Sequence, residues 1–449
     1  MGMKAGENGV PKQRSSYEAV LGLKGHRHCN KCRPSTTQEP LENPIPTARL
    51  LKPSFKGHSF VQHFPAFIIP GTLDKEVGPL LEKLMGIFGS SLQQLFHHPI
   101  EAHGVKWRFA VIGCKADLKW HSKTCCLIRG YEHQSTRVDA AMCHLCHAGL
   151  PGIPAEAVQE GAAWEATVYA SRPWSMQKLP MLNAIPFDDS RPEHLYKLDG
   201  FHNLRLGVYR EFVASSVMLL LRWGYFGENG NLKEKLQRAH GSFKLYLASI
   251  SKSASLRSFT PAFFNYKNKK SFPWLNAKGS DVTLTMKWLA PLLVSAINLN
   301  NAPERVEPLN VMLSTARLGV RWFDLVYHHN IFLSRACGAT LHEVGTSFVR
   351  GYVSMAGFAY RNEHCLYGIK PKLHFQTHTL YELRLQLERG GKNILSPIVW
   401  DCQQNEDYIG RFSRMSRKHD LRVMTERVLE LWLIKAYVLE KRHRDDGDD

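Results

Sequence analysis

The sequence is short of acid and has no long apolar run. Only 40 of its 449 residues are Asp or Glu, against 58 Lys and Arg, which leaves a formal net charge of +18. The apolar stretch Phe212 to Leu221 is about half the ~20 residues a spanning helix needs, and Arg210 and Arg222 bound it. Pro291, Ser295 and Asn298 interrupt the stretch from Trp288 to Leu299. No membrane span is therefore expected. Residues Met1 to Arg14 lack the apolar core of a secretory signal, which predicts an intracellular chain. In that setting the ten cysteines read as thiols or metal ligands, not as a disulfide framework.

Other absences narrow the chemistry. There is no Gly-x-Ser-x-Gly elbow and no Gly-x4-Gly-Lys-Ser/Thr loop, so neither serine hydrolysis nor ATP use is indicated. No internal repeat is visible. The chain is not short of core material: 44% of it is hydrophobic and 10% aromatic, which excludes a wholly disordered or fibrous protein. The surplus of positive charge favours a polyanion as partner, nucleic acid first.

Residues 1–60 are rich in Gly, Pro, Lys and Ser and read as a flexible basic lead-in; His26, His28, Cys29 and Cys32 cluster within it. Segment 61–105 is a helical lead-in, with Val77, Leu80, Leu81, Leu84, Ile87 and Phe88 at helical spacing. Trp107 to Gly113 reads as a buried strand, Ala166 to Ala170 as a second and His194 to Leu198 as a third. The pattern turns helical from Phe201 to Leu221. Long helices are expected at 281–299, 310–334, 341–359 and 371–388, and a last helical region at 403–443 breaks near Asp420.

Three groups of residues carry candidate chemistry. Cys143-His-Leu-Cys146 has the spacing that lets two thiolates reach one tetrahedral zinc. His121 and Cys125 are the favoured partners, with Cys126 and His147 also near; ordinary buried thiols are the bland alternative. Cys29-x2-Cys32 is a weaker knuckle. Asp117 follows the first strand, and Asp199 follows a short apolar stretch and opens a helix. A carboxylate in either place usually serves as a helix N-cap. Glu406 lies on a helix line with Gly410 and Arg417, beside a basic edge made by Arg411, Arg414 and Lys418, which suits a metal site approached by a phosphate backbone or, more plainly, a solvated face.

Taken in order, these segments resemble the DDE/D transposases of cut-and-paste DNA transposons, nearest to the CACTA and Kyakuja-Dileera-Zisupton types. The resemblance rests on Val111 to Leu118, the Cys143–Cys146 knuckle, Asp199-x2-His202-x4-Gly207, Lys370-Pro-Lys-Leu-His-Phe-Gln-Thr-His378 and the Glu406 helix. It covers roughly Val105 to Arg442. It implies an α/β (α+β) fold: an RNase H-like mixed-sheet core interrupted by a large α-helical insertion, with a small zinc knuckle. The core's first part would be 106–210, the insertion 211–369, and 370–449 would complete the core. The resemblance further implies Asp117, Asp199 and Glu406 as carboxylates for Mg²⁺ or Mn²⁺, with Asp401 and Asp407 as substitutes for Glu406. His202, His374 and His378 would line the site. DNA would be the partner, touched by Arg411, Arg414, Arg417 and Lys418, and the protein would be nuclear and capable of forming a homo-oligomer. A copy that has lost activity fits the same pattern. So does a non-enzymatic, zinc-stabilised nucleic-acid-binding or interaction protein whose acids are structural. An all-helical scaffold is a third and weaker alternative.

Overall fold

The computed structural model describes residues 4–5, 11–12, 23–27, 77–102, 104–131, 141–174, 185, 192–420 and 423–445. The Cys29 and Cys32 pair and most of the lead-in lie outside the described residues. In chain order the main elements are β1 (Leu23–Arg27), α1 (Val77–His97), β2 (Ile100–Ala102), β3 (Val105–Val111), β4 (Cys114–Ala116), α2 (Leu118–Thr124) and β5 (Tyr196–Leu198). A π-helix, Phe201–Tyr209, then runs into α3 (Arg210–Arg222). It is followed by α4 (Leu232–Ser249), α5 (Gly279–Asn298), α6 (Val306–His328), β6 (Phe332–Ser334), α7 (Arg335–Arg361) and α8 (Pro371–Glu388). The last elements are β7 (Asn393–Leu395), α9 (Gln403–Ser416) and α10 (Met424–Asp445). The architecture is mixed α+β and mainly helical, with small sheets. Among the described residues no helix is long and apolar enough to cross a membrane.

The chain divides into two compact units, each made of separated segments. The first comprises 1–130, 171–197 and 401–449. Its sheet has the order β1-β3-β2, antiparallel throughout, with Leu23 opposite Val111 and Ile100 opposite Trp107. Leu81, Met85, Phe88 and Leu92 recur along one stripe of α1 and pack with Val111, Cys114, Trp174 and Tyr196. The strand β4 pairs with β5. The two C-terminal helices of this unit have a small core of their own, in which Tyr408 and Met415 meet Val428 and Trp432.

The second unit comprises 131–170 and 198–400, so the Cys143–Cys146 segment groups with the helical block. Helix α6 packs on α5 and α7, and α7 packs on α8. The helices approach closely where side chains vanish: a Cβ at Gly345 would stand 2.3 Å from the Trp322 ring and 2.5 Å from Leu380. Aromatic side chains fill the spaces between them, with Phe212 among Phe348, Tyr352 and Tyr367.

Three local differences from the sequence expectation have physical causes. Ala166 to Ala170 is not a strand; Glu165–Thr167 is a 3-10 turn, held by the Thr167 hydroxyl donating to the Trp164 carbonyl at 2.7 Å. The helix α4 has no counterpart among the expected helices, although Asn231 and Glu234 form a reciprocal capping box at its start. The helix expected from Phe201 begins as nine residues of π-helix. At Gly207 in that π-helix the stem of Lys372 crosses so closely that a Cβ would lie 2.5 Å from its Cδ. The Lys372 ammonium donates to the Leu206 carbonyl at 3.3 Å.

Candidate metal centre

Pro371 fixes the start of α8, where its missing N–H costs nothing, and the preceding Lys370 is extended. Residues Leu373 to His378 are all buried, so this helix lies inside its unit and not on one side of it. Four of the six are polar: His374, Gln376, Thr377 and His378. A buried polar group is costly without a partner, so the partners of the two histidines are informative.

Those partners are Cys143 and Cys146. His374 Nε2 lies 3.3 Å from Cys146 Sγ, and His378 Nε2 lies 3.4 Å from Cys143 Sγ and 3.3 Å from Cys146 Sγ. The four donor atoms lie within 4.8 Å of one another and all four residues are buried. Zinc bonds of about 2.3 Å to sulfur and 2.0–2.1 Å to nitrogen give a sulfur–nitrogen edge of about 3.6 Å in a tetrahedron. The observed separations lie close to that edge. Two thiolates and two imidazoles are also a donor set that zinc favours. The residues therefore fit a structural zinc, with four protein donors and no position left for substrate.

The surroundings favour the charged state of the thiols. Backbone N–H groups two residues on point back at the sulfurs: Leu145 donates to Cys143 Sγ at 3.3 Å and Ala148 to Cys146 Sγ at 3.4 Å. Burial pushes the Cys143 thiol up, but Cys146, His378 and His374 outweigh it and hold the group well below its ordinary range. Burial lowers the pKa of His374 against the pull of Cys143, which keeps the imidazole neutral and able to ligate. Trp164, 1% exposed, covers the site, with its ring centroid 5.1 Å from that of His374 and 4.7 Å from that of His378. Its indole N–H donates to the Ala157 carbonyl at 2.7 Å. The loop that carries Trp164 is tied to α8 a second time, through Arg384 to Glu160 at 2.8 Å and Tyr169 to Glu382 at 2.8 Å.

Comparison of the chain with family models, with curated proteins and with solved structures finds no match. The geometry alone therefore reassigns ligands within the zinc reading. His121 and Cys125, expected to complete the knuckle, belong to the first unit, where Cys125 Sγ lies 3.9 Å from His121 Nδ1. Burial, together with neighbouring Cys114, raises the Cys125 pKa well above its ordinary value, and the thiol packs in the first unit's core with Cys114 and Tyr196. His374 and His378, expected to line a carboxylate site, take the place of that pair. The signal was present in the sequence: His-x3-His on a helix puts two imidazoles on one face, the spacing of half a zinc site. Trp164 gave no comparable signal.

The remaining candidates are placed as follows. Asp117 is the N-cap of α2, accepting from the Trp120 N–H at 2.6 Å. Asp199, 2% exposed, accepts from the Phe201 N–H at 2.8 Å and the His202 N–H at 3.2 Å, and its carboxylate also meets His202 Nδ1. Glu406 is exposed in the first turn of α9. Asp401 accepts from the Gln403 N–H at 2.9 Å, and Asp407 pairs with Arg411 at 2.7 Å. Arg414, Arg417 and Lys418 are exposed on or just after the same helix. Asp117 and Glu406 belong to the first unit and Asp199 to the second.

Proposed function

We propose that this chain is a transposase-like DNA-binding protein with an RNase H-like core, in which zinc is a structural tie and Asp117, Asp199 and Glu406 are the metal-binding carboxylates. One observation carries the reading. The Cys-x2-Cys and Lys-x-His-x3-His motifs, separate members of the ordered series, supply all four donors of one buried cluster. Two further features support it. Asp117 and Asp199 each follow directly on a strand of the β4–β5 pair. The Lys115 ammonium, in the middle of β4, donates to the Asp401 carbonyl at 2.8 Å, just ahead of the helix that bears Glu406.

In this reading the three carboxylates are hard oxygen donors that suit Mg²⁺ or Mn²⁺. Paired ions of that kind activate the attacking oxygen and stabilise the leaving one in displacement at phosphorus. The chain's own part is positioning: His202 holds one edge of Asp199, and the α9 cations Arg411, Arg414, Arg417 and Lys418 meet the phosphate backbone without reading bases. Nuclear residence and self-association follow from the same reading.

A second reading has its own support. Asp117 and Asp199 both make N-cap hydrogen bonds, as structural acids do, which suits a zinc-stabilised DNA-binding protein without catalysis. The deciding experiment is strand cleavage and transfer on labelled duplex DNA with Mn²⁺. The first reading expects products from the wild type and none from Asp117→Ala, Asp199→Ala or Glu406→Ala, with binding retained. DNA binding with no metal-dependent product in any of them would leave only the second.

A further inference from the structure

The chain's positive charge is unevenly distributed. From Leu232 to Lys278 there are ten Lys and Arg and a single acid, Glu234, a net of +9 and half of the chain's +18. From Lys235 to Ser280 there is no Asp or Glu at all. At the chain's average of 40 acids in 449 residues, that length would hold about four. A surface that is merely solvated mixes both signs, because clustered like charges repel one another.

The structure shows where these cations are and how they are held. Nine of the ten are exposed. Helix α4 turns Leu236, Ala239, Phe243 and Leu247 inward and leaves Lys233, Arg238 and Lys244 outside. The connection from 250 to 278 is anchored from within. Phe259 lies between Phe243 and Trp288, with ring centroids at 5.6 and 5.7 Å. The first acid after the segment, Asp281, is 2% exposed and its carboxylate is occupied by the Ser255 N–H and hydroxyl at 2.9 and 2.5 Å. At the outer end, Asn268 and Ser271 staple a tight turn: the Ser271 hydroxyl accepts from the Lys267 and Asn268 N–H groups, and the Asn268 side chain accepts from the Lys270 N–H at 2.9 Å. That turn presents Lys267, Lys269 and Lys270, all exposed.

We infer that the face made by α4 and the 250–278 connection is a binding surface for the phosphate backbone of duplex DNA, with the Lys267–Lys270 turn as its most prominent point of attachment. The inference rests on the DNA-binding part of the proposed function and moves the main electrostatic footprint from α9 to the helical block. Fixed cations on an anchored loop suit contacts to the phosphate backbone, which position DNA and carry no sequence information. A lipid surface fits less well, because the apolar face of α4 is turned into the core and is not available to enter a bilayer.

The test uses the full chain loaded with zinc and a duplex of arbitrary sequence. Affinity is measured from low to moderate salt for the wild type, for Lys267→Ala/Lys269→Ala/Lys270→Ala and for Arg414→Ala/Arg417→Ala/Lys418→Ala. The 267–270 variant is expected to bind at least about tenfold more weakly and to lower the slope of log K against log salt by about 2–3, one unit for each phosphate that is no longer neutralised. Its zinc content and melting temperature should equal the wild type's, which separates a weakened binding surface from a damaged fold. Unchanged affinity and slope overturn the proposal, as does a loss confined to phosphatidylserine vesicles. Mn²⁺-dependent cleavage is read on the same samples: absence of cleavage with an altered slope refutes the enzymatic reading and leaves this surface standing.

Discussion

His374 and His378 are identical in type, four residues apart and both buried, and each has a sulfur within 3.4 Å. The wild-type protein should carry one zinc per chain by elemental analysis. Cys143→Ser, Cys146→Ser, His374→Ala and His378→Ala should each bring that toward zero, whereas His121→Ala and Cys125→Ala should leave it intact. Zinc lost with the latter pair and kept with the former would refute the assignment. Trp164→Ala removes a ring buried against both histidines and should cost about 3–5 kcal/mol in denaturant unfolding. Glu211 provides a pH signature. Burial raises its carboxyl pKa, although Lys370, 2.8 Å away, opposes the shift. The folded state therefore holds that proton more tightly than the unfolded chain. The resulting stabilisation is present below the ordinary carboxyl range and disappears as pH rises through the raised value. Measured between about pH 4 and pH 7, the stability of the wild type relative to Glu211→Gln should fall with pH; a constant difference would contradict the sign. At this scale the Cys-x2-Cys pair was legible because thiol spacing is local. Its completion by histidines 228 residues away was not, because no local pattern encodes which distant helix a knuckle meets.

Among the elements, the helices with strong apolar periodicity were the legible ones: α1 falls inside the helical lead-in and α5 lies within two residues of its expected span, whereas α6 ends six residues before 334, where β6 forms, and α7 starts six residues before 341. Helix α8 was legible for a different reason, the Pro at its start, since its interior is buried without a polar side. Helix α4 has no counterpart among the expected helices, although Leu236, Ala239, Phe243 and Leu247 keep helical spacing and the Asn231–Glu234 cap marks its beginning. The π-helix could not be foreseen: its wider turn is associated with a lysine stem from α8, a tertiary cause. Gly207→Ala should therefore disturb Lys372 and cost about 1–3 kcal/mol by overpacking. Gly345→Ala, which places a methyl group into the rigid Trp322 ring, should cost at least as much, read by thermal unfolding. If both variants melt with the wild type, the close approaches at these glycines are not constraints.

For the whole molecule, the mixed α+β class and the long helical block were readable from periodicity and order. The resemblance joins 106–210 to 370–449 around an insertion; the two units interleave with other bounds, 1–130, 171–197 and 401–449 in one and 131–170 and 198–400 in the other. Removing zinc with a chelator should lower the melting temperature and open the 141–170 region to protease while α5 to α7 stay protected. Equal protection with and without metal would mean that the Arg384 and Tyr169 side chains hold that region by themselves.

The two halves of the metal centre lie at opposite ends of the helical block in sequence, which gives zinc a role in the order of assembly. Cys143 and Cys146 leave the ribosome early, but the clasp cannot close until His378 follows. By then α3 to α7 have had the chance to dock on one another without a tether. With an ion bound at this cluster, capture would be a late step that locks a block already packed. Closing a span of 228 residues withdraws about 5 kcal/mol of chain entropy from the opened state, as a covalent cross-link of that length would. A nascent chain that takes up metal only after α8 has emerged, followed by stalled-ribosome pulldown and zinc assay, is the expected outcome; uptake by shorter chains would place the clasp before the block.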